Sequence, residues 1–198
     1  INSDHDYERI VFSLDYLLTK AEIDGYPSHI ICHRLAYSNV LTSYENGNIQ
    51  SFLYSNVSDV YKTMFYESKN NENIEMNWTN NWIAQAYIYL QETFNISFEL
   101  LFMYFPFKKM KEMFKLFHEM DNTNLANYLK ELMNDKNPLA IAMEIRKVST
   151  KALATITGIS TNSLASYRYG RRSIKEMSLE NGIKIANALN IKPMTLLN

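Results

Sequence analysis

The sequence predicts an all-α protein in two parts, an acidic helical bundle over 1–135 and a five-helix module over 139–198. Three observations predict it. Apolar residues recur three and four positions apart along nearly the whole chain, the period of a one-sided helix, while the alternation that marks strands is weak. Charge is unevenly divided. Residues 136–198 carry ten Lys and Arg against three Asp and Glu, a net +7, whereas 1–135 carry ten against eighteen, a net −8. Three of the five glycines, Gly158, Gly170 and Gly182, fall in the last third, where they punctuate short helices.

With 46% apolar and 21% charged residues, the chain has material for a real core and too little charge for disorder over most of its length. Tyr7, Ile10, Val11, Leu14, Leu17 and Leu18 form the buried face of a first helix, which Gly25 and Pro27 end. A second helix is expected over His29–Ala36, a turn at Glu45-Asn46-Gly47-Asn48, and a further helix over 58–67 capped by Ser58 or Asp59. The polar, Asn-rich stretch 68–77 reads as a linker or exposed loop at which the acidic part subdivides. Trp78–Phe94 then carries a stripe of Trp82, Ile83, Ala86, Tyr89, Leu90 and Phe94. Two more helices are expected near Ser97–Tyr104 and Pro106–Met120, the second with proline in its first turn. Asn122–Met133 places Leu125, Tyr128, Leu129 and Leu132 on one face. Asn134-Asp135-Lys136-Asn137-Pro138 is polar and ends in proline, and the domain boundary is placed there.

Residues 148–172 are the most informative stretch. Ser149 or Thr150 caps a helix whose expected buried side is Ala152, Leu153 and Ile156. Gly158 ends it, where a left-handed conformation suits glycine. Ile159 is the buried residue of the turn and Ser160 caps the next helix. Leu164 and Tyr167 face inward, which leaves Thr161, Asn162, Ser163, Ser166 and Arg168 outward. A packed first helix, a tight turn and a second helix bearing small polar residues is the layout that enters a DNA major groove. The amide of Asn162 suits adenine, and Thr161 and Ser163 serve bases or phosphates. The N–H groups at both helix starts, beside Thr150 and Ser160, are natural phosphate ligands, with Lys151, Arg171 and Arg172 as cationic partners. The net +7 is the footprint that phosphate binding requires. A helical bundle used for protein contact is the alternative.

The whole C-terminal segment resembles the Cro/C1-type (XRE) helix-turn-helix family. The likeness rests on Ser149-Thr150, on Leu153-Ala154-Thr155-Ile156-Thr157-Gly158-Ile159-Ser160, on Gly170-Arg171-Arg172 and on the later run Ile183–Ile191. Agreement in order over about sixty residues is far more specific than a lone short motif. Two positions depart from the family pattern, which often has glutamine at 150 and glutamate at 168. The resemblance implies a sequence-specific transcriptional regulator that binds a double-stranded DNA operator, as a homodimer on paired half-sites. The acidic part resembles, in general character rather than in any motif, the helical domains of XRE-type antitoxins. That likeness implies an autorepressing antitoxin with a toxin held by the N-terminal domain. A phage-type repressor without a toxin is the alternative within the class.

No constellation for catalysis, metal or cofactor appears, so the chain is read as a non-enzyme. His29 and His33 lie four apart beside Cys32, but no further ligand follows them, and His5 and His118 stand alone. The lone Cys32 excludes an intrachain disulfide and fits a reducing cytoplasm. The chain starts at Ile1 rather than Met, as a trimmed chain does, and shows no signal peptide. The most apolar run, Ile96–Phe107, is broken by Glu99 and Pro106 and reads as core rather than a membrane span. The dense aromatics between Trp78 and Phe107 read as core packing, with some left for an interface. Residues 26–48 echo the C-terminal pattern at Leu35-Ala36, Ser38 and Tyr44–Asn48, without its basic pair. That echo is either a degenerate helix-turn-helix fold or chance.

Overall fold

The computed structural model describes residues 4–65, 74–75, 77–134 and 136–197. The chain divides into two compact units, Ile1–Ala126 and Asn127–Asn198. Charge follows that division. The first unit holds nine Lys and Arg against sixteen Asp and Glu, a net −7, and the second holds eleven against five, a net +6. The described residues form helices and no strand.

In the first unit the order is α1 (Asp4–Ile23), α2 (Ser28–Ala36), α3 (Asn39–Glu45), α4 (Gln50–Leu53), α5 (Val57–Phe65), α6 (Trp78–Phe94), α7 (Phe98–Tyr104) and α8 (Phe107–Phe117), and α9 (Asn122–Met133) crosses into the second unit. The core runs along α1, where Ile10, Leu14, Leu17, Leu18 and Ala21 are fully buried, and along α6, which packs on α1, α7 and α8. α6 buries Ile83, Ala84, Ala86, Tyr87, Ile88 and Leu90, so it is apolar around most of its circumference, as a central helix must be. That differs from the expected stripe, in which Trp82, Tyr89 and Phe94 are only half-buried. The core reading of the aromatics holds for Tyr87, Phe98, Phe102, Phe105 and Phe107. Trp78 is the exception, 89% exposed at the start of α6.

Side chains set the helix ends. Ser38, Asn77 and Ser97 accept backbone N–H groups at the starts of α3, α6 and α7. At α5 the capping oxygen belongs to Asn56, which accepts from the N–H of Ser58 at 2.9 Å. The expected caps Ser58 and Asp59 lie inside that helix, two and three residues past Asn56. α8 ends at Phe117 rather than Met120. α3 and α4, of seven and four residues, fall below the length at which apolar spacing is readable. The stretch expected as a linker, 68–77, falls largely outside the described residues.

The pair α2–α3 reproduces part of the C-terminal pattern. Leu35 and Tyr44 are buried, Ser38 caps the second helix, and Gly47 beyond it has φ +79°. The turn is built differently, since Tyr37 sits at φ −98° with no left-handed residue.

Charge is also buried in this unit. The Lys20 ammonium donates to Asp24 at 2.7 Å and the Tyr61 hydroxyl donates to the other Asp24 oxygen at 2.6 Å. All three residues are almost fully enclosed. Cys32 is buried, accepts from the Phe107 N–H at 3.2 Å, and has its thiol pKa raised by that burial.

The second unit continues with α10 (Pro138–Ile145), α11 (Thr150–Thr157), α12 (Thr161–Arg168) and α13 (Leu179–Leu189). A single 3₁₀ turn, Pro193–Leu196, takes the fifth place, and another, Ile174–Glu176, lies in the connection before α13. Asn137, Ser149, Ser160 and Ser178 cap the four α-helices. Asn137 has a second duty, because its amide also donates to the carbonyls of Tyr167 at 2.8 Å and Arg168 at 3.3 Å. α10 closes with Lys147 N–H on Glu144 O and Val148 N–H on Met143 O, the paired bonds of a Schellman turn. Its left-handed residue is Lys147, at φ +56°. The core of the unit joins Leu139, Ile141, Leu153, Leu164, Ile185 and Leu189.

One expected face is corrected. On α11 the buried residues are Leu153 and Thr157, while Ala152 is exposed and Ile156 is 62% exposed. Leu153 and Thr157 lie four apart on the core-facing side, and Ile156 falls off that stripe. Thr157 is tolerated inside because its hydroxyl donates to Leu153 O at 2.7 Å and accepts from Ile159 N–H at 3.3 Å.

Candidate nucleic-acid interface

α11 ends at Gly158, whose φ of +72° lies in the left-handed region. The N–H of Gly158 bonds Ala154 O at 2.9 Å, and the chain then enters α12 through buried Ile159. Ser160 caps α12 by accepting from Ser163 N–H at 3.1 Å, while its own hydroxyl donates to the Ser163 hydroxyl at 2.9 Å. Leu164 and Tyr167 anchor α12 in the core, so its outer face is fixed by packing.

That outer face carries Thr161 and Asn162, both exposed at the start of the helix. Ser163 is half-buried, with its hydroxyl held by Ser160. Ser166 is half-buried and donates to Asn162 O at 2.9 Å. Ser166 therefore spends its donor within the helix and Ser163 is engaged as an acceptor, and Thr161 and Asn162 offer the outward polar groups. Arg171 and Arg172 are exposed just beyond α12, after the φ +69° turn at Gly170. Arg172 is tethered twice, by its N–H to Ser166 O at 3.1 Å and by its guanidinium over the Tyr167 ring at 4.9 Å. Lys151 is exposed in the first turn of α11.

Thr150 and Arg168, the two departures from the family pattern, meet. Arg168 Nη1 donates to Thr150 Oγ1 at 3.0 Å, joining the end of α12 to the start of α11. Sequence reasoning missed two residues beside this pair. Tyr169 is 64% exposed under the Arg168 guanidinium, which lies 5.4 Å from its ring. Lys147 is exposed at the left-handed turn before α11. The inward pair Leu164 and Tyr167 does put position 169 outward, so Tyr169 carried a readable signal. Lys147 carried none.

Two helices joined across a left-handed glycine, with a small polar face on the second and cations at the helix ends, define a helix-turn-helix of the DNA-binding class. Residues 139–198 match the family model of the Cro/C1-type HTH DNA-binding domain. The C-terminal part of this chain is a domain of that family, that of a DNA-binding transcription regulator. Neither the curated proteins nor the solved structures give a match to the chain.

Among the described residues, no three of His, Cys, Asp and Glu gather as a metal site. No helix there is long and apolar enough to cross a membrane. His5, His29, His33 and His118 are all exposed.

Proposed function

We propose that this protein is a sequence-specific repressor that reads a double-stranded operator with α12 and holds the flanking phosphates with Thr150, Lys151, Ser160, Arg168, Arg171 and Arg172. The observation that carries the reading is the outward pair Thr161 and Asn162 on a helix whose C-terminal end is followed by the exposed cations Arg171 and Arg172. Ser163 and Ser166 shape that face. The protein acts as a homodimer, since two half-sites one helical turn apart add their energies. A promoter fragment from its own gene should bind at low salt, tighter than random duplex, with log K falling linearly in log salt. Absence of binding at low salt overturns this reading and leaves a protein-interaction module.

Within that class we infer an antitoxin that represses its own operon. The net charge of −7 on the first unit supports a basic protein partner. The exposed Trp78 and Tyr54 are side chains of the kind that anchor interfaces. Expression of the neighbouring gene should arrest growth, and co-expression of this chain should restore it. A harmless neighbour leaves a phage-type repressor without a toxin.

A further inference from the structure

Beside the Thr150–Arg168 bond lies an open groove of about 660 Å³, bounded by α10, the α10–α11 turn and the end of α12. Lys136, Lys147 and Arg168 line it, with Met143 and Val148 as an apolar floor. Among the described lining residues the acid is Glu144, which is paired with Lys136. No other described carboxylate of the lining compensates Lys147 and Arg168.

Arg168 is held from two directions, by the Thr150 hydroxyl and by the Tyr169 ring. A guanidinium has five N–H donors in a planar fork, so one bond to Thr150 fixes its orientation and leaves donors for a phosphate. Lys147 occupies a left-handed position that glycine would fill at lower backbone energy. A lysine held there against backbone preference places an ammonium on the rim of the groove.

We propose that this groove is a second phosphate seat, in which Arg168, positioned by Thr150, and Lys147 take a backbone phosphate of the duplex flanking the bases read by α12. The proposal rests on the DNA-binding reading above. It assigns Lys147 as a contact and makes Thr150 a positioning residue for Arg168.

The test is a salt titration of the full chain on its own promoter fragment and on random duplex of equal length. Arg168→Ala and Lys147→Gly should each flatten the salt slope by about one ion and weaken both duplexes roughly tenfold at 0.1 M salt. Lys147→Gly should do so with the melting temperature held or raised, which separates contact from folding. Thr150→Val should weaken binding while keeping the slope, because the charge remains and only its aim is lost. Unchanged slopes in Arg168→Ala and Lys147→Gly, with the wild type binding normally, overturn the seat alone. A wild type that binds no DNA overturns the functional reading and the seat together. Inorganic phosphate should compete no better than chloride at equal ionic strength. Selective competition that Lys147→Gly abolishes makes the groove a free-anion site and overturns its assignment to duplex DNA.

Discussion

At the scale of single residues, the proposed interface separates readers from holders. Asn162 is exposed, with its carbonyl engaged by Ser166 and its amide outward. Asn162→Ala should cost about 1–3 kcal/mol on the operator and relax preference at one base. Arg172→Ala should weaken specific and random DNA alike and flatten the salt slope by about one ion. Competition binding with both duplexes measures the two effects side by side, and identical behaviour of the variants refutes this division of labour. The caps and turns of this region were legible because they are local. Ser149, Gly158 and Ser160 each act on groups three or four residues away, so the sequence alone places them. The Thr150–Arg168 bond spans eighteen residues and depends on how two helices cross, which no local pattern encodes.

At the scale of elements, burial phase decides what a substitution costs. Leu153 is fully buried on α11 and Ile156 is largely exposed. Leu153→Ala should destabilise the protein by about 2–5 kcal/mol, whereas Ile156→Lys should stay within about 0.5 kcal/mol. Chemical denaturation of the two variants checks the phase, and a large loss at Ile156 contradicts it. The sequence reading put Ile156 inside because isoleucine is apolar, and put nothing polar at 157. Thr157 reverses that order by satisfying its hydroxyl on the helix backbone. The same limit hid α3 and α4, whose few apolar residues give no period to read. In α6 the expected one-sided stripe failed because the helix is surrounded, and a surrounded helix has no preferred face.

At the scale of the whole molecule, the readable feature was the division of charge, which the two compact units preserve with opposite signs. Less readable was the charge the first unit encloses. Asp15 is buried, and burial raises its carboxyl pKa above the usual 3.8 against the opposing pull of hydrogen bonds from Asn81 and Thr19. An acid with a raised native pKa holds its proton more tightly folded than unfolded. Its contribution to stability is therefore greatest below the unfolded value and falls as pH rises through the native one. Asp15→Asn lacks this loss. Its stability relative to wild type should rise as pH climbs above the usual carboxylate value, as thermal melts across the acid range report. A difference that does not change with pH contradicts the assignment.

The double duty of Asn137 limits how this chain can drift. Serine, threonine and aspartate cap helices as well as asparagine does, so positions 149, 160 and 178 tolerate exchange among them. None of those three has an amide N–H to give. Asparagine alone caps α10 and also reaches the final carbonyls of α12. A neutral change at 137 thus has nowhere to go among the capping residues. The orientation of α12 thus draws on one side chain outside it as well as on its own buried Leu164 and Tyr167.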